Sequence, residues 1–417
     1  MNSALALDAF ESVKRLPTSS LLWQLLSARI HALEGVARAT LVHEIVVYPF
    51  DSKNAQWLQC SALAYLTRDP DWLVKQAALT DETTTPDAVM TLLGLAWHNA
   101  VVRTPERGAF VKLLRDINAP RLQGFLATRM SCQEQVPCNG CGTQLRVAIY
   151  TPQVANSRHG STIFTLNIMS VFAREVVDLR TFTAQETNIP AMGSYHGGAE
   201  SLTPVPVEAE SLTINAPGSF QLILPNTQFS LSSRFDQILQ AIVAYAPDVV
   251  FFVGFMSPLV FKLYEHYPVV GLSVHALPPV APVDVWLSAD QCNAACWPGV
   301  PMPQVFAFPF RFWPSGQTSP IDRASVDLPT GVTVLVTAGF RLDTEITPHW
   351  SERVLAFIEA HTEVHWLLVG VTEGVSSAAL PQHPRIHKLP PQRRLEAWLA
   401  MSDIYLNPPR IGGGGSV

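Results

Sequence analysis

Near residue 145 the hydrophobic pattern changes period, and this change limits the fold more than any other feature of the chain. Before about residue 130, apolar residues recur at helical spacing, as in Leu21, Leu22, Leu25, Leu26 and Ile30, which marks amphipathic helices. Beyond 145, short apolar runs alternate with helical ones. Strands are expected at 145–150, 175–179, 248–253 and 269–274, then at 332–337, 364–370, 385–389 and 403–406. Helices are expected at 162–174, 232–245, 348–361 and 392–401. Strands that alternate with helices build parallel, doubly wound sheets covered on both faces. The fold class is therefore α/β, with two Rossmann-like domains preceded by an all-α domain.

The chain's 417 residues suffice for two or three ordinary domains. Residues 1–130 form the expected helical domain. There, Asp69-Pro70, Thr85-Pro86 and Thr104-Pro105 announce helix starts, whereas Pro120 follows Ala119 without a cap. Pro70 to Pro105 spans 35 residues and Pro86 to Pro120 spans 34, near the period of helix-turn-helix repeats. Degenerate helical repeats and an irregular helical domain with proline in its loops both fit. Residues 131–144 read as a Cys/Gly linker, 145–280 as the first Rossmann-like domain, 281–330 as an irregular proline-rich connection, and 331–417 as the second.

The second domain is expected to be incomplete. Its glycine loop, Ile411 to Val417, follows a strand directly, without the helices and strands that would cover the sheet, so the chain reads as truncated. Gly-Gly-Gly-Gly-Ser is also the composition of an appended flexible linker.

Composition removes several function classes. A net charge of −6 with no basic block argues against nucleic acid as the main partner. The longest apolar run, 249–261, is shorter than the ~20 residues of a membrane span, so no transmembrane segment is expected. Asp8 and Glu11 interrupt the stretch a signal peptide would need, and six cysteines are too few for a disulfide scaffold. The expected location is the cytoplasm.

Open α/β sheets bind ligands at the carboxyl ends of their strands, so the loops after the strands hold the candidate residues. After the first strand comes Asn156-Ser157-Arg158-His159-Gly160-Ser161-Thr162, an imidazole beside a flexible glycine at a helix start. His159 suits a general base near neutral pH, and a solvated or capping histidine is the alternative. His275 ends another strand and is a second, weaker candidate. In Gly339-Phe340-Arg341-Leu342-Asp343 the Arg341 fork matches phosphate oxygens, or else pairs with Asp343 or Glu345. The segment Asn407 to Ser416, with Arg410, Gly412, Gly413, Gly414, Gly415 and Ser416, offers backbone N–H groups to a pyrophosphate. It matches neither the dinucleotide fingerprint nor the P-loop. Cys132, Cys138 and Cys141 resemble half of a zinc knuckle, with reduced linker thiols as the simpler account, and no metal is assigned.

In their order, Thr337-Ala338-Gly339-Phe340-Arg341-Leu342, Trp366-Leu367-Leu368-Val369-Gly370, Arg385-Ile386-His387-Lys388-Leu389 and Asp403-Ile404-Tyr405-Leu406-Asn407-Pro408 resemble the C-terminal domain of GT-B-fold glycosyltransferases of bacterial type. The resemblance covers about residues 145–417. It implies a sugar transferase, of hexosyltransferase class, that uses a nucleotide-sugar donor, a UDP-sugar by preference, as substrate and holds no permanent cofactor. It implies a protein or glycan acceptor. Arg341, Lys388 and the loop Arg410 to Ser416 would contact the donor diphosphate; His159 would be the acceptor-activating base, with Gly160 and His275 on the acceptor side. A non-catalytic, transferase-like protein that binds an acceptor or partner enzyme through residues 1–280 is the alternative. Oligomeric state is not legible.

Overall fold

The structure is a computed structural model that describes residues 2–103, 107–131, 144–154, 160–172, 175–186, 221–226, 228–273, 277–288, 297–308, 319–339, 342–371, 380–392 and 395–408. The chain divides into two compact units, Met1–Asn99 with Phe110–Phe310, and Ala100–Ala109 with Arg311–Val417.

The chain opens with helices α1 (Asn2–Arg15), α2 (Ser20–His31), α3 (Gly35–Val47), α4 (Lys53–Thr67), α5 (Asp71–Ala78), α6 (Pro86–Arg103), α7 (Arg107–Asp116) and α8 (Ala119–Ala127). In α2, the Ser19 hydroxyl caps the Leu22 N–H at 3.4 Å, and Trp23, Leu26, Ser27 and Ile30 form the buried face. Leu21 and Leu25, expected in that stripe, are exposed. At about 100° per residue, each lies two residues from Trp23 and so on the helix face opposite the one Trp23 centres. Asp69-Pro70 precedes α5, and Thr85 accepts from the Ala88 N–H at 3.3 Å at the start of α6. At α8, Asn118 makes no side-chain cap. The Thr104-Pro105 start lies outside the described residues.

The strands and helices that follow are β1 (Leu145–Tyr150), α9 (Gly160–Phe172), β2 (Val177–Phe182), β3 (Gln221–Ile223), α10 (Leu231–Tyr245), β4 (Val249–Val253), α11 (Pro258–Tyr264), β5 (Val269–Leu272), β6 (Val285–Ser288) and β7 (Gln304–Ala307). They build a parallel sheet of order β3-β2-β1-β4-β5-β6-β7. The winding reverses between β1 and β4, so the carboxyl ends of these two strands flank a topological switch point. Strands β6 and β7 lie in the proline-rich stretch that composition reads as irregular. Pro282, Pro298, Pro301, Pro303 and Pro309 all fall outside them, so no ladder donor is lost. The helical layer docks on this sheet domain: Gln123 of α8 donates to the Val280 carbonyl at 2.7 Å, and the Ser131 N–H donates to Asp236 of α10 at 3.0 Å.

The second unit contains β8 (Thr333–Ala338), a single turn α12 (Leu342–Glu345), α13 (Pro348–Ala360), β9 (Val364–Val369), β10 (Ile386–Leu389), α14 (Leu395–Met401) and β11 (Ile404–Tyr405). Its parallel sheet has the order β10-β9-β8-β11, and its switch point lies between β8 and β11. Both faces are apolar. Leu335, Ile358, Trp366 and Leu368 pack on one, and Val334, Val336, Leu367, Val369 and Trp398 on the other. Among the described residues, no helix is long and apolar enough to cross a membrane.

Three aspartates set strand register in the same way. The residue before β4, Asp248, accepts the Arg146 N–H of β1 at 2.8 Å, while its own N–H donates to the Arg146 carbonyl at 2.9 Å. Asp284 before β6 does this to Val269 of β5, and Asp403 before β11 to Val334 of β8, with the same two distances. Each side chain satisfies an amide that the ladder would leave open at the strand's amino end.

Candidate functional site

The carboxyl edge of the first sheet gathers groups from three strands. Tyr150 ends β1, Glu186 follows β2, and Ser257 follows β4 as the N-cap of α11. The Tyr150 hydroxyl donates to Glu186 Oε1 in a short hydrogen bond, and the Ser257 hydroxyl donates to the same oxygen at 2.5 Å. All three side chains are buried. Burial raises the Glu186 acid to about 8, against hydrogen bonds from Ser257 and Tyr150 that favour its ionised form. Burial, with the nearby Glu186 charge, also holds the Tyr150 phenol well above its usual range. Burial thus favours the neutral form of this carboxyl beside the switch point.

The loops here are fitted closely. A Cβ on Gly254, just past β4, would lie 2.7 Å from the Phe252 ring and 2.8 Å from Pro152 in the loop after β1, so any larger residue would have to push those rings aside. Gly160, expected on the acceptor side, is the first residue of α9. His159 and His275 lie outside the described residues.

The carboxyl edge of the second sheet is tied by backbone contact. Gly370 follows β9 with φ +108°, and a Cβ there would lie 2.1 Å from the carbonyl oxygen of Gly339, which follows β8. The Gly339 N–H donates to the Val369 carbonyl at 3.0 Å, and the N–H groups of Gly370 and Val371 both donate to Leu389 at 2.9 Å. Thr337 joins three strands: its hydroxyl accepts from the Trp366 indole at 2.9 Å and donates to the Leu406 carbonyl at 2.9 Å. The chain leading to Arg341 thus starts from a fixed point at the switch. Lys388 on β10 donates to the Leu380 carbonyl at 3.2 Å, and burial lowers its ammonium below the usual lysine range. Arg341, Arg410, Gly412, Gly413, Gly414, Gly415 and Ser416, like Cys132, Cys138 and Cys141, lie outside the described residues. Among the described residues, no group of three or more His, Cys, Asp or Glu side chains is placed to hold a metal ion.

Sequence reasoning missed the Tyr150, Glu186 and Ser257 cluster. Ser257-Pro258 carried a readable signal, a cap followed by a first-turn proline. Glu186 carried none, because a glutamate in a polar loop after a strand reads as solvated.

Comparison with solved structures finds this fold elsewhere. An O-GlcNAc transferase mutant from Thermobaculum terrenum is similar over 97% of this chain and 74% of its own, with a TM-score of 0.50 and 14% sequence identity. A putative UDP-N-acetylglucosamine 2-epimerase from Listeria monocytogenes matches 63% of this chain and 74% of its own at a TM-score of 0.34 and 13% identity. The lipopolysaccharide outer core galactosyltransferase WaaB matches 60% of this chain and 70% of its own at 0.33 and 12%. No family model and no curated protein matches the sequence. The first likeness shows the fold: two Rossmann-like domains of GT-B type behind an all-α region.

Proposed function

We propose that this chain is a nucleotide-sugar-dependent glycosyltransferase, of hexosyltransferase class, acting in the cytoplasm on a protein or glycan acceptor. The supporting observation is the glycine-on-glycine contact of Gly370 and Gly339 at the second switch point, in a fold shared with an O-GlcNAc transferase. The N–H groups of Gly339, Gly370 and Val371 are donated to strand carbonyls, so the contact fixes where the loops start, and the donors to a diphosphate would be the N–H groups and Arg341 of the loops that follow.

In this reading the acceptor hydroxyl or amide attacks the sugar's anomeric carbon and His159 takes its proton. The new glycosidic bond forms as the bond to the diphosphate breaks, and the nucleoside diphosphate leaves. Arg341, Lys388, Arg410 and the loop Gly412 to Ser416 stabilise its charge. Gly160 and His275 lie on the acceptor side, and the scheme needs neither a metal nor a permanent cofactor.

The test is thermal unfolding with UDP and a panel of nucleotide-sugars, followed by transfer or donor hydrolysis. A ligand at 100 times its Kd should add about 2.7 kcal/mol of stability. Arg341→Ala should abolish the shift, and His159→Ala should lower turnover about 100-fold or more while leaving donor binding intact. Full turnover in His159→Ala removes that residue from the mechanism. No shift with any nucleotide leaves a non-catalytic protein that binds an acceptor or partner enzyme.

A further inference from the structure

Nearly half of the large apolar side chains that the described residues expose lie between Leu5 and Val47. Two helices concentrate them. In α2, Trp23, Leu26, Ser27 and Ile30 form the buried face, and Leu21, Leu25 and Ala28 stand exposed on the opposite side. In α3, Leu41 and Ile45 are buried, and at about 100° per residue the exposed Val36, Val46 and Val47 fall on the opposite side. The outer side of a surface helix ordinarily carries charged and polar residues. A helix that is apolar on both sides is one that is covered on both.

The two outer faces look the same way. Helices α2 and α3 pack on each other and both pack on α4, where Gln59 donates to the Ile45 carbonyl at 2.6 Å and accepts α3 as its neighbour, while Arg38 of α3 donates to the Leu66 carbonyl at 2.9 Å. Most of α4 is buried, so it lies beneath the pair, and the outer faces turn away from it together. Leu21 is 71% exposed, Val36 83% and Val47 60%. With Leu25, Ala28 and Val46 they present on the order of 500 Å² of apolar surface, which is the apolar share, roughly 60%, of the ~800 Å² that each partner buries in a standard interface.

Charge narrows the occupant. Arg29 and Glu34 are the exposed base and acid of this stretch, one charge of each sign, and His31 and His43 are its exposed imidazoles. A helix that lies on an anionic membrane is rich in lysine and arginine on its polar face, and neither helix is. A strongly charged partner would find little to pair with. A second copy of the chain meets neither obstacle, because an apolar face without net charge is complementary to itself, and a two-fold axis lays the same helices of two protomers against each other. We propose that the outer faces of α2 and α3 form a homodimer interface, with Leu21, Leu25, Val36 and Val47 at its centre. The proposal does not depend on the transferase reading, since these helices carry none of the residues placed at either carboxyl edge.

The experiment is sedimentation velocity on the full chain at about 1 to 100 μM. The native chain should reach a species of twice its mass. Leu25→Glu combined with Val47→Glu puts two carboxylates into the apolar face and should weaken association about 100-fold or more. Both side chains are exposed in the protomer, so the far-ultraviolet spectrum should not change. Val176→Glu charges another exposed valine of the first unit, away from these helices, and should leave the dimer intact. Should the double variant not fold, Leu21→Lys takes its place, with an expected weakening of about tenfold. A native chain that stays monomeric throughout overturns the proposal, as does a dimer that Leu21→Lys leaves at full strength or that Val176→Glu weakens equally. Sedimentation of a monomeric native chain with vesicles of phosphatidylcholine and phosphatidylserine would assign the face to a membrane and overturn it too. Neither donor binding nor transfer is read here, so a monomeric chain leaves the transferase reading standing, and absence of transfer leaves the interface standing.

Discussion

The two parallel sheets use one register device but carry their titratable groups at opposite ends. In the first, Glu186 is a buried acid at the carboxyl edge, beside the loops that meet a ligand in open α/β folds. In the second, His365 and His387 meet near the amino ends of β9 and β10, with Nδ1 and Nε2 2.9 Å apart and ring planes 16° from parallel. Such a contact needs one nitrogen protonated and the other bare. Burial lowers both imidazoles, and His365 is lowered further by His387, Arg385 and His383. The first sheet is thus sensitive to rising pH and the second to falling pH. Where a group sits relative to the strand ends decides which unit each condition weakens.

The largest expected effect tests the first half of that contrast. The Glu186 acid is raised from 4.5 to about 8, so its contribution to stability is whole below pH 4.5 and lost as pH rises through 8. The loss is on the order of 4 kcal/mol. Denaturant midpoints of the first unit should fall between pH 5 and pH 9 in the native chain and hold steady in Glu186→Gln. An equal fall in both chains would erase the contrast.

Glycine substitutions rank the two carboxyl edges next. Gly370→Ala drives a Cβ against backbone at a positive φ and should cost about 3 kcal/mol or more, with loss of any nucleotide-dependent thermal shift. Gly254→Ala meets only the side-chain rings of Phe252 and Pro152 and should cost about 1 to 2 kcal/mol. The reverse order would mean that the second edge is the more yielding of the two.

Removing a register aspartate should have a smaller effect. Asp248→Ala, Asp284→Ala and Asp403→Ala each orphan one strand-end N–H, at about 1 kcal/mol by urea unfolding. Asp403 differs, because the Val334 N–H and then Arg323 hold its carboxyl below the usual range. Its stabilisation is present above its unfolded value of 3.8 and fades as pH falls through the folded one. A stability loss in Asp403→Ala that stays constant from pH 7 to pH 3 would contradict this.

His387→Phe, which removes an imidazole hydrogen bond, should cost about 1 kcal/mol at pH 7.5. Because both folded imidazoles lie below 6.5, the native pair loses stability as pH falls below that value. The cost of the substitution should therefore shrink in acid, as read from melting curves at pH 7.5 and pH 5.

The sequence by itself determined the α/β class, the helical start and the order of most strands and helices. Those properties live in local periodicity: the buried runs of β1, β4 and β9 are contiguous in the chain, and so are the caps at Ser257-Pro258 and Thr347-Pro348. It also marked about residues 145–417 as resembling the GT-B fold, and the likeness to a solved structure shows that fold. Tertiary structure alone decided that Glu186 is buried, that Leu21 is exposed, and that Asp248, Asp284 and Asp403 set register. It also decided that a Cβ at Gly370 would strike Gly339. Each of these depends on atoms that are far apart in sequence, as Glu186 and Ser257 are, 71 residues apart. Whether a polar side chain is solvated or buried with its neutral form favoured is set by what the neighbouring strands bring to it, and no local pattern records that.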